Sequence, residues 1–411
     1  MKLLHTGDLH LGKSLHESSL IEDQKSMLDQ LRAALSRDEY AALVIAGDVY
    51  DRTIPPTDAV ELFSSFLARV RRESPALEIC VIPGNHDSSQ RLSFASRILR
   101  EQHIHIICNP EESFIPIITE KDGKRLALFL LPFLAPGTLS PETPRGAPKA
   151  SNELDFSAEE KTPFLATQAD LAREASRRLS LALKRPELAG IPSVLVAHLF
   201  ALNGRSSESE RVFLGTAEEV DPALFSGFSY VALGHLHRQQ TVTERIRYSG
   251  SPLAYAFDEA GADKAFLSVD IDCEKEGFPV TVTPIPVRPQ RKVSRLEGAF
   301  EDFYARGRYD SYAADYLEIS LTDTALVANP MNLLRPKFPW LLSLRQGGNA
   351  GTAADKGEAK PAAEDNAAKA DTSHRDPVGD FCRFEELIVG FVDPAKKELF
   401  SSLLAECADE A

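Results

Sequence analysis

One short pattern recurs along this chain and limits what it can fold into. An apolar run of strand length ends in a turn, often opened by glycine, and the turn offers a carboxylate, amide or imidazole. "KLLHT" leads to Gly7, Asp8 and His10; "ALVIA" to Gly47 and Asp48; "EICVI" to Gly84, Asn85, His86 and Asp87; "VLVA" to His198; "YVAL" to Gly234, His235 and His237. Continuous apolar runs suit strands covered on both faces, as in parallel sheets. The carboxyl ends of such strands lie along one edge, so residues distant in sequence meet there. A single His after a strand is most often structural. Five such turns, all bearing oxygen or nitrogen donors and no sulfur, point to one shared site.

The same runs, alternating with helical periodicity, predict an α/β domain over 1–278. Strands are expected at 2–6, 42–46, 78–82, 104–107, 126–131, 193–197 and 230–233, and helices at 20–36, 57–73, 90–100 and 167–184. The stretch 135–165 is rich in Pro, Ser and Gly and reads as a long loop. From about 279 the texture changes, and 279–346 is expected to form a smaller α+β domain. Residues 347–379 hold no aromatic residue and almost no large aliphatic one, which predicts a disordered linker. Beyond it, 380–411 regains helical spacing at Phe384, Leu387, Ile388 and Phe391, then at Leu399, Phe400, Leu403 and Leu404. A small apolar module on a floppy tether suggests docking onto a partner.

The five cysteines are scattered and show no C-x-x-C spacing, which argues for reduced thiols and against a thiolate zinc site. There is no apolar run of about 18 residues, and the N-terminus lacks a signal-peptide pattern, so the chain reads as cytoplasmic with no membrane partner. A net charge of −15 argues against a general basic coat for nucleic acid. It does not exclude a nuclease, because bound cations or a partner subunit can supply local positive charge.

The donor inventory is Asp8, His10, Asp48, Asn85, His198, His235 and His237. Two carboxylates, one amide and four imidazoles suit two divalent ions sharing one carboxylate, with Mn²⁺, Fe²⁺ or Zn²⁺ fitting such ligands. Two ions about 3.5–4 Å apart activate a water and clamp a phosphoryl oxygen during in-line displacement, so phosphoester hydrolysis is the natural reaction.

The set D-x-H, G-D, G-N-H-D, a strand-end His and G-H-x-H resembles the calcineurin-like metallophosphoesterases. "HTGDLHLGK", "AGDVYDR", "PGNHDS", "ALGHLHR", "YSGSPLAYAFDE" and "VRPQRKVSRLEGAFED" resemble in particular the SbcD family, nuclease subunits of bacterial SbcCD complexes. The resemblance implies a four-layer α-β-β-α sandwich, a DNA-contacting capping domain at 279–346 and a helical SbcC-binding module at 380–411. It implies Asp8, His10, Asp48 and His237 around one metal, and Asp48, Asn85, His198 and His235 around the other, with Mn²⁺ the usual ion. His86 would protonate or stabilise the departing 3′ oxygen. The implied activity is 3′–5′ exonuclease on duplex ends and endonuclease on single strands, with the SMC-like ATPase SbcC as partner. A homodimer contact through helices 20–36 and 57–73 is also implied.

Other polar residues have plainer readings. His5 lies inside the first run and reads as a satisfied core residue, and Asp87 as a hydrogen-bond acceptor for its own loop. Asp51 stands where archaeal and eukaryotic relatives carry His, and takes no catalytic role here. Lys13, Arg52, Arg91, Arg205, Arg211 and Arg238 lie near the motifs and are candidate phosphate contacts. Two other readings keep the scaffold and change the role. One is a phosphomonoesterase or protein phosphatase, against which Thr53 after Arg52 and the "GNHD" motif argue. The other is a non-catalytic scaffold, against which the complete ligand set argues.

Overall fold

The computed structural model describes residues 1–140, 165, 167–201, 219–346, 378, 381–382 and 394–409. The expected linker at 347–379, most of the expected loop at 135–165, Arg205, Arg211 and the periodic run at Phe384–Phe391 lie outside the described residues, apart from Val378.

In chain order the strands are β1 (Lys2–Thr6), a short hairpin of β2 (Ser14–Leu15) and β3 (Ser18–Ser19), β4 (Tyr40–Ala46), β5 (Glu78–Ile82) and β6 (Ile104–Ile106). They continue with β7 (Ile117–Lys121), β8 (Lys124–Leu131), β9 (Ser193–His198), β10 (Tyr230–Gly234), β11 (Gln240–Thr241) and β12 (Ile246–Tyr248). Last come β13 (Ala265–Ile271), β14 (Val280–Pro286), β15 (Val293–Gly298), β16 (Tyr316–Leu321) and β17 (Leu341–Gln346). The longer helices are α1 (Ile21–Arg37) and α2 (Thr57–Glu73), then the short α3 (Ser89–Leu92) and α4 (Ser96–Arg100), then α5 (Gln168–Leu183).

Two six-stranded sheets organise the first 286 residues, in the orders β14-β13-β1-β4-β5-β6 and β11-β12-β10-β9-β8-β7. β1, β4, β5 and β6 are parallel in the first, and β8, β9, β10 and β12 in the second. The side-chain period of two divides each strand between two cores. Leu3, Ala42, Val44, Cys80 and Ile82 face Leu126, Leu128, Leu130, Val194, Val196 and Tyr230 between the sheets. The alternate residues Leu4, Leu43, Ile45, Ile79 and Val81 pack against Met27, Leu31, Phe63, Phe66 and Val70 of α1 and α2. Phe129, Leu131, Leu195, Ala197, Val231 and Leu233 pack likewise against Leu171, Ala175 and Leu179 of α5. Every central strand is therefore apolar on both faces, which explains the unbroken runs in the sequence.

Three expectations need correction. The second domain does not begin at 279: β14 pairs antiparallel with β13 over all seven of its residues, from Val280 with Ile271 to Pro286 with Ala265. Its prolines sit on the sheet's outer strand, where no inner-ladder donor is missed. The separate three-stranded sheet therefore starts at β15. It is also not α+β in type, since β15, β16 and β17 are all parallel. Parallel neighbours require crossovers, here built around the short helices Phe300–Tyr304 and Pro330–Leu334. Leu296, Phe303, Leu317, Ile319, Leu334, Phe338 and Leu341 form its core. The helix expected at 90–100 is two short ones, broken where Ala95 takes a left-handed φ of 58°.

The unit seats on α1 through Asp23. The Tyr316 hydroxyl donates to Asp23 Oδ2 at 2.8 Å, and the Arg291 amide to Asp23 Oδ1 at 3.2 Å. The Arg291 guanidinium lies 3.9 Å from the Trp340 ring centroid.

The chain divides into compact units Met1–Ala350 and Gly351–Ala411. In the second, a helix spans Pro394–Asp409, and the Phe381 and Phe400 rings stack with centroids 4.5 Å apart. No helix among the described residues is long and apolar enough to cross a membrane.

Candidate metal centre

The parallel strands β1, β4, β5, β9 and β10 end on one rim, and the turns that follow them carry the ligand-type residues. Asp8, His10, Asp48, His198, His235 and His237 are all buried; Asn85 and His86 are half-buried. Four of these residues have positive φ: Asp8 at 52°, His10 at 42°, Asp48 at 48° and His235 at 107°. Backbone strain of this kind, at about 1–3 kcal/mol per residue, persists only where the surroundings impose it. The glycines in the motifs have a steric cause. A Cβ on Gly84 would lie 2.1 Å from Asp48 Oδ1, and one on Gly47, itself at φ +90°, would lie 2.2 Å from His198 Nδ1.

The side chains form two groups joined by Asp48. On one side His10 Nε2 and His237 Nε2 are 3.0 Å apart. On the other, Asn85 Oδ1 is 2.9 Å from His198 Nε2 and 3.0 Å from His235 Nδ1. Asp48 Oδ2 lies 3.6 Å from His10 Nε2 and 3.5 Å from His198 Nε2, between the groups. Asp8 Oδ1 accepts from the His235 amide at 2.9 Å and lies 3.9 Å from His198 Nδ1. All seven predicted ligands thus meet at one rim.

One outer nitrogen fixes its ring's tautomer. His198 Nδ1 donates to the Ala46 carbonyl at 2.9 Å, so the neutral ring presents a lone pair at Nε2. His237 Nδ1 lies 3.3 Å from Glu259 Oε1, and His10 Nδ1 makes a longer 3.4 Å contact with Asp51 Oδ1. Both carboxyls are ionised. Burial opposes this in Glu259, but Lys264 and His237 outweigh it and hold the group down to about 2. Burial likewise opposes it in Asp51, but His10 and Lys13 keep that carboxyl below its usual range. Burial also pushes His10 down to about 4 against the pull of Asp51, and His235 down to about 3 with His198 adding to the effect. Burial lowers His198 as well, outweighing Asp48.

His10 and His237 face each other through Nε2, and His10 Nδ1 is buried with no hydrogen-bond partner among the described residues. His198 points its Nε2 lone pair at the amide oxygen of Asn85. His235 Nε2 is buried with no hydrogen-bond partner among the described residues. Donors about 3 Å apart match neighbouring ligands on one cation with bonds of about 2.1 Å. This arrangement repels itself when empty and suits divalent cations.

His86 is anchored from two sides. Its amide donates to Asp48 Oδ1 at 2.9 Å, and its Nδ1 to the Asp51 carbonyl at 2.9 Å. Asp87 accepts amide hydrogens from Val49, Tyr50 and Gly84 at 2.9–3.0 Å and ties two ligand turns together. His5 is fully buried, with Nε2 donating to the Leu233 carbonyl at 3.2 Å and Nδ1 3.0 Å from the Tyr230 hydroxyl. It is a core residue behind the rim. Of the candidate phosphate contacts, Lys13 pairs with Asp51 at 2.7 Å and Arg238 donates to the Asp258 carbonyl at 3.0 Å.

Sequence reasoning missed Glu259, Lys264 and Gln24. Gln24 donates to the His10 carbonyl at 2.6 Å and accepts from the Gly12 amide at 2.9 Å, bracing the first ligand turn from α1. None of the three lies in a strand-end motif, so only the fold brings them to the rim.

The calcineurin-like phosphoesterase family matches residues 1–239 of this chain. Two curated relatives, both SbcD subunits of the nuclease SbcCD, are each 30% identical over 346 residues. That of Staphylococcus epidermidis covers 84% of this chain and 85% of the relative, and that of Staphylococcus saprophyticus covers 84% of each. The chain belongs to the SbcD nuclease family of calcineurin-like phosphoesterases. It is a metal-dependent phosphodiesterase. The likeness to a crystal structure of a dimetal phosphatase from Danio rerio is slight, with a TM-score of 0.35 and 13% identity over 70% of this chain and 99% of that one. Among the described residues of this SbcD-type protein, two clusters are of metal-ligand type: Asp8 with Asp48 and His198, and His10 with Asp51 and His86.

Proposed function

We propose that the chain is a two-metal DNA nuclease, a 3′–5′ exonuclease on duplex ends and an endonuclease on single strands, acting with an SbcC-type ATPase in DNA repair and recombination. The observation that carries this reading is the placement of Asp48 Oδ2, within 3.6 Å of an imidazole nitrogen in each ligand group. Asp8, His10, Asp48 and His237 would hold one ion, and Asp48, Asn85, His198 and His235 the other, with Mn²⁺ the preferred metal. Two such cations, when bound, neutralise the scissile phosphate and lower the pKa of the attacking water.

The chain's own groups do the rest. His10, His198 and His235, kept neutral by burial, need not lose protons before they act as ligands. His86, held at Nδ1 by the Asp51 carbonyl, would turn Nε2 toward the substrate and, as the imidazolium, give its Nε2 proton to the departing 3′ oxygen, ending neutral. In this reading the two sheets and their outer helices are the four-layer sandwich. Residues 293–346 are the capping domain that touches DNA, and the helical segment Pro394–Asp409 belongs to the SbcC-binding module. The homodimer contact through α1 and α2 rests on family resemblance. The test is Mn²⁺-dependent digestion of end-labelled duplex by wild type and His86→Ala. The variant is expected to keep its metal and lose most hydrolysis; cleavage at the wild-type rate would remove His86 from the mechanism.

A further inference from the structure

The segment that follows the last ligand turn folds back over His237. Glu259 is fully buried, with Oε1 3.3 Å from His237 Nδ1. Lys264, nearly buried, donates to Glu259 Oε2, to Ser251 Oγ at 2.8 Å and to the His237 carbonyl at 2.9 Å. The Ser251 amide donates to that same carbonyl at 3.1 Å. One charge pair thus grips His237 at both ends: its ring through Glu259, its backbone through Lys264.

A buried ion pair is a poor source of stability, since desolvation offsets the attraction. Convergence on one imidazole is what this pair does that an apolar pair could not. We propose that Glu259, braced by Lys264, is a positioning residue for metal binding: it holds the Nδ1 proton of His237 and aims its Nε2 lone pair at the cation site. A carboxylate behind a ligand imidazole fixes its tautomer and raises its basicity, and losing it typically costs roughly 10–100-fold in metal affinity. The inference rests on the metal-site reading of His237 given above.

The experiment titrates Mn²⁺ against a competing chelator in metal-stripped, full-length protein, scored per folded molecule. Three variants are compared with wild type. Glu259→Leu/Lys264→Met removes both charges at similar volume, Glu259→Gln keeps an acceptor oxygen, and His237→Ala deletes the ligand. The double variant is expected to weaken one of the two ions roughly 10–100-fold and leave the other unchanged. Glu259→Gln, which keeps an acceptor oxygen but no charge, is expected to weaken that same ion by a smaller factor, a graded response that a purely structural role would not give. If the double variant does not fold, a weakening of one ion in Glu259→Gln carries the same weight. Two ions bound at wild-type affinity, or both weakened equally in both variants, would overturn the proposal. Should His237→Ala leave both ions in place, the metal-site reading itself fails, a result separable from the first.

Discussion

His10 and His237, 227 residues apart in the chain, bring their Nε2 atoms to 3.0 Å from each other. His237 Nδ1 faces Glu259 and His10 Nδ1 makes only a longer contact with Asp51, so a cation seated between the two Nε2 atoms would be held by both rings. Added Mn²⁺ should therefore stabilise the fold. A single site filled at 100 times its Kd contributes about 2.7 kcal/mol, which raises Tm by roughly 4 °C in a compact unit the size of Met1–Ala350. Differential scanning calorimetry with and without Mn²⁺ measures this, and His10→Ala should shrink the rise.

Gly84 has no room for a side chain, since a Cβ would lie 2.1 Å from Asp48 Oδ1 and 2.5 Å from the Asp48 amide nitrogen. Gly84→Ala should displace the carboxylate between the two ligand groups and lower DNA hydrolysis by about 10²-fold or more, as misplacements near 1 Å do. Gly227→Ala is the control, because its nearest neighbour, Leu183 Cδ1, is at an ordinary 3.5 Å. Equal rates for the two variants would contradict the tight packing beneath Asp48.

The rim imidazoles make the stripped protein acid-sensitive. Burial lowers His10 to about 4, and His235 and His5 each to about 3. An unfolded His titrates near 6.5. As pH falls below that value the unfolded chain takes up protons that the folded chain refuses. Stability is therefore full above about 6.5 and declines down to the folded values near 3–4. Tm of chelator-treated protein should drop steadily from pH 7 to pH 4.5. A flat profile would mean that these rings are protonated in the fold.

Tyr316 ties the small parallel sheet to α1 through its 2.8 Å hydrogen bond to the buried Asp23. Tyr316→Phe keeps the ring and leaves Asp23 Oδ2 without that donor, which costs about 1–3 kcal/mol. Urea denaturation should show it. Site chemistry should survive, as Tyr316 is far in sequence from every ligand turn and touches none of the ligands above.

Much of the rim was legible because its signal is local. Each ligand follows its own strand within a few residues, and the parallel topology gathers the strand ends on one edge. β1, β5 and α2 fall at the residues that apolar periodicity predicts. What was not legible depends on distance or on a hidden neighbour. β14 looks like the start of a new domain until its ladder with β13 is seen. The α3–α4 break rests on one left-handed residue, Ala95, which carries no glycine to mark it. Glu259 and Gln24 look like ordinary surface residues of a turn and a helix, and their carboxylate and amide reach ligands only after the chain has folded.

The ligand turns come from both sheets. Asp8, His10, Asp48 and Asn85 follow strands of the first, and His198, His235 and His237 follow strands of the second. A cation seated among them would work as a rivet across the seam where Val44 and Ile82 meet Leu128 and Val196. Stripping the ion should let that seam open before the outer helices melt, and amide exchange should quicken first at the strand tips.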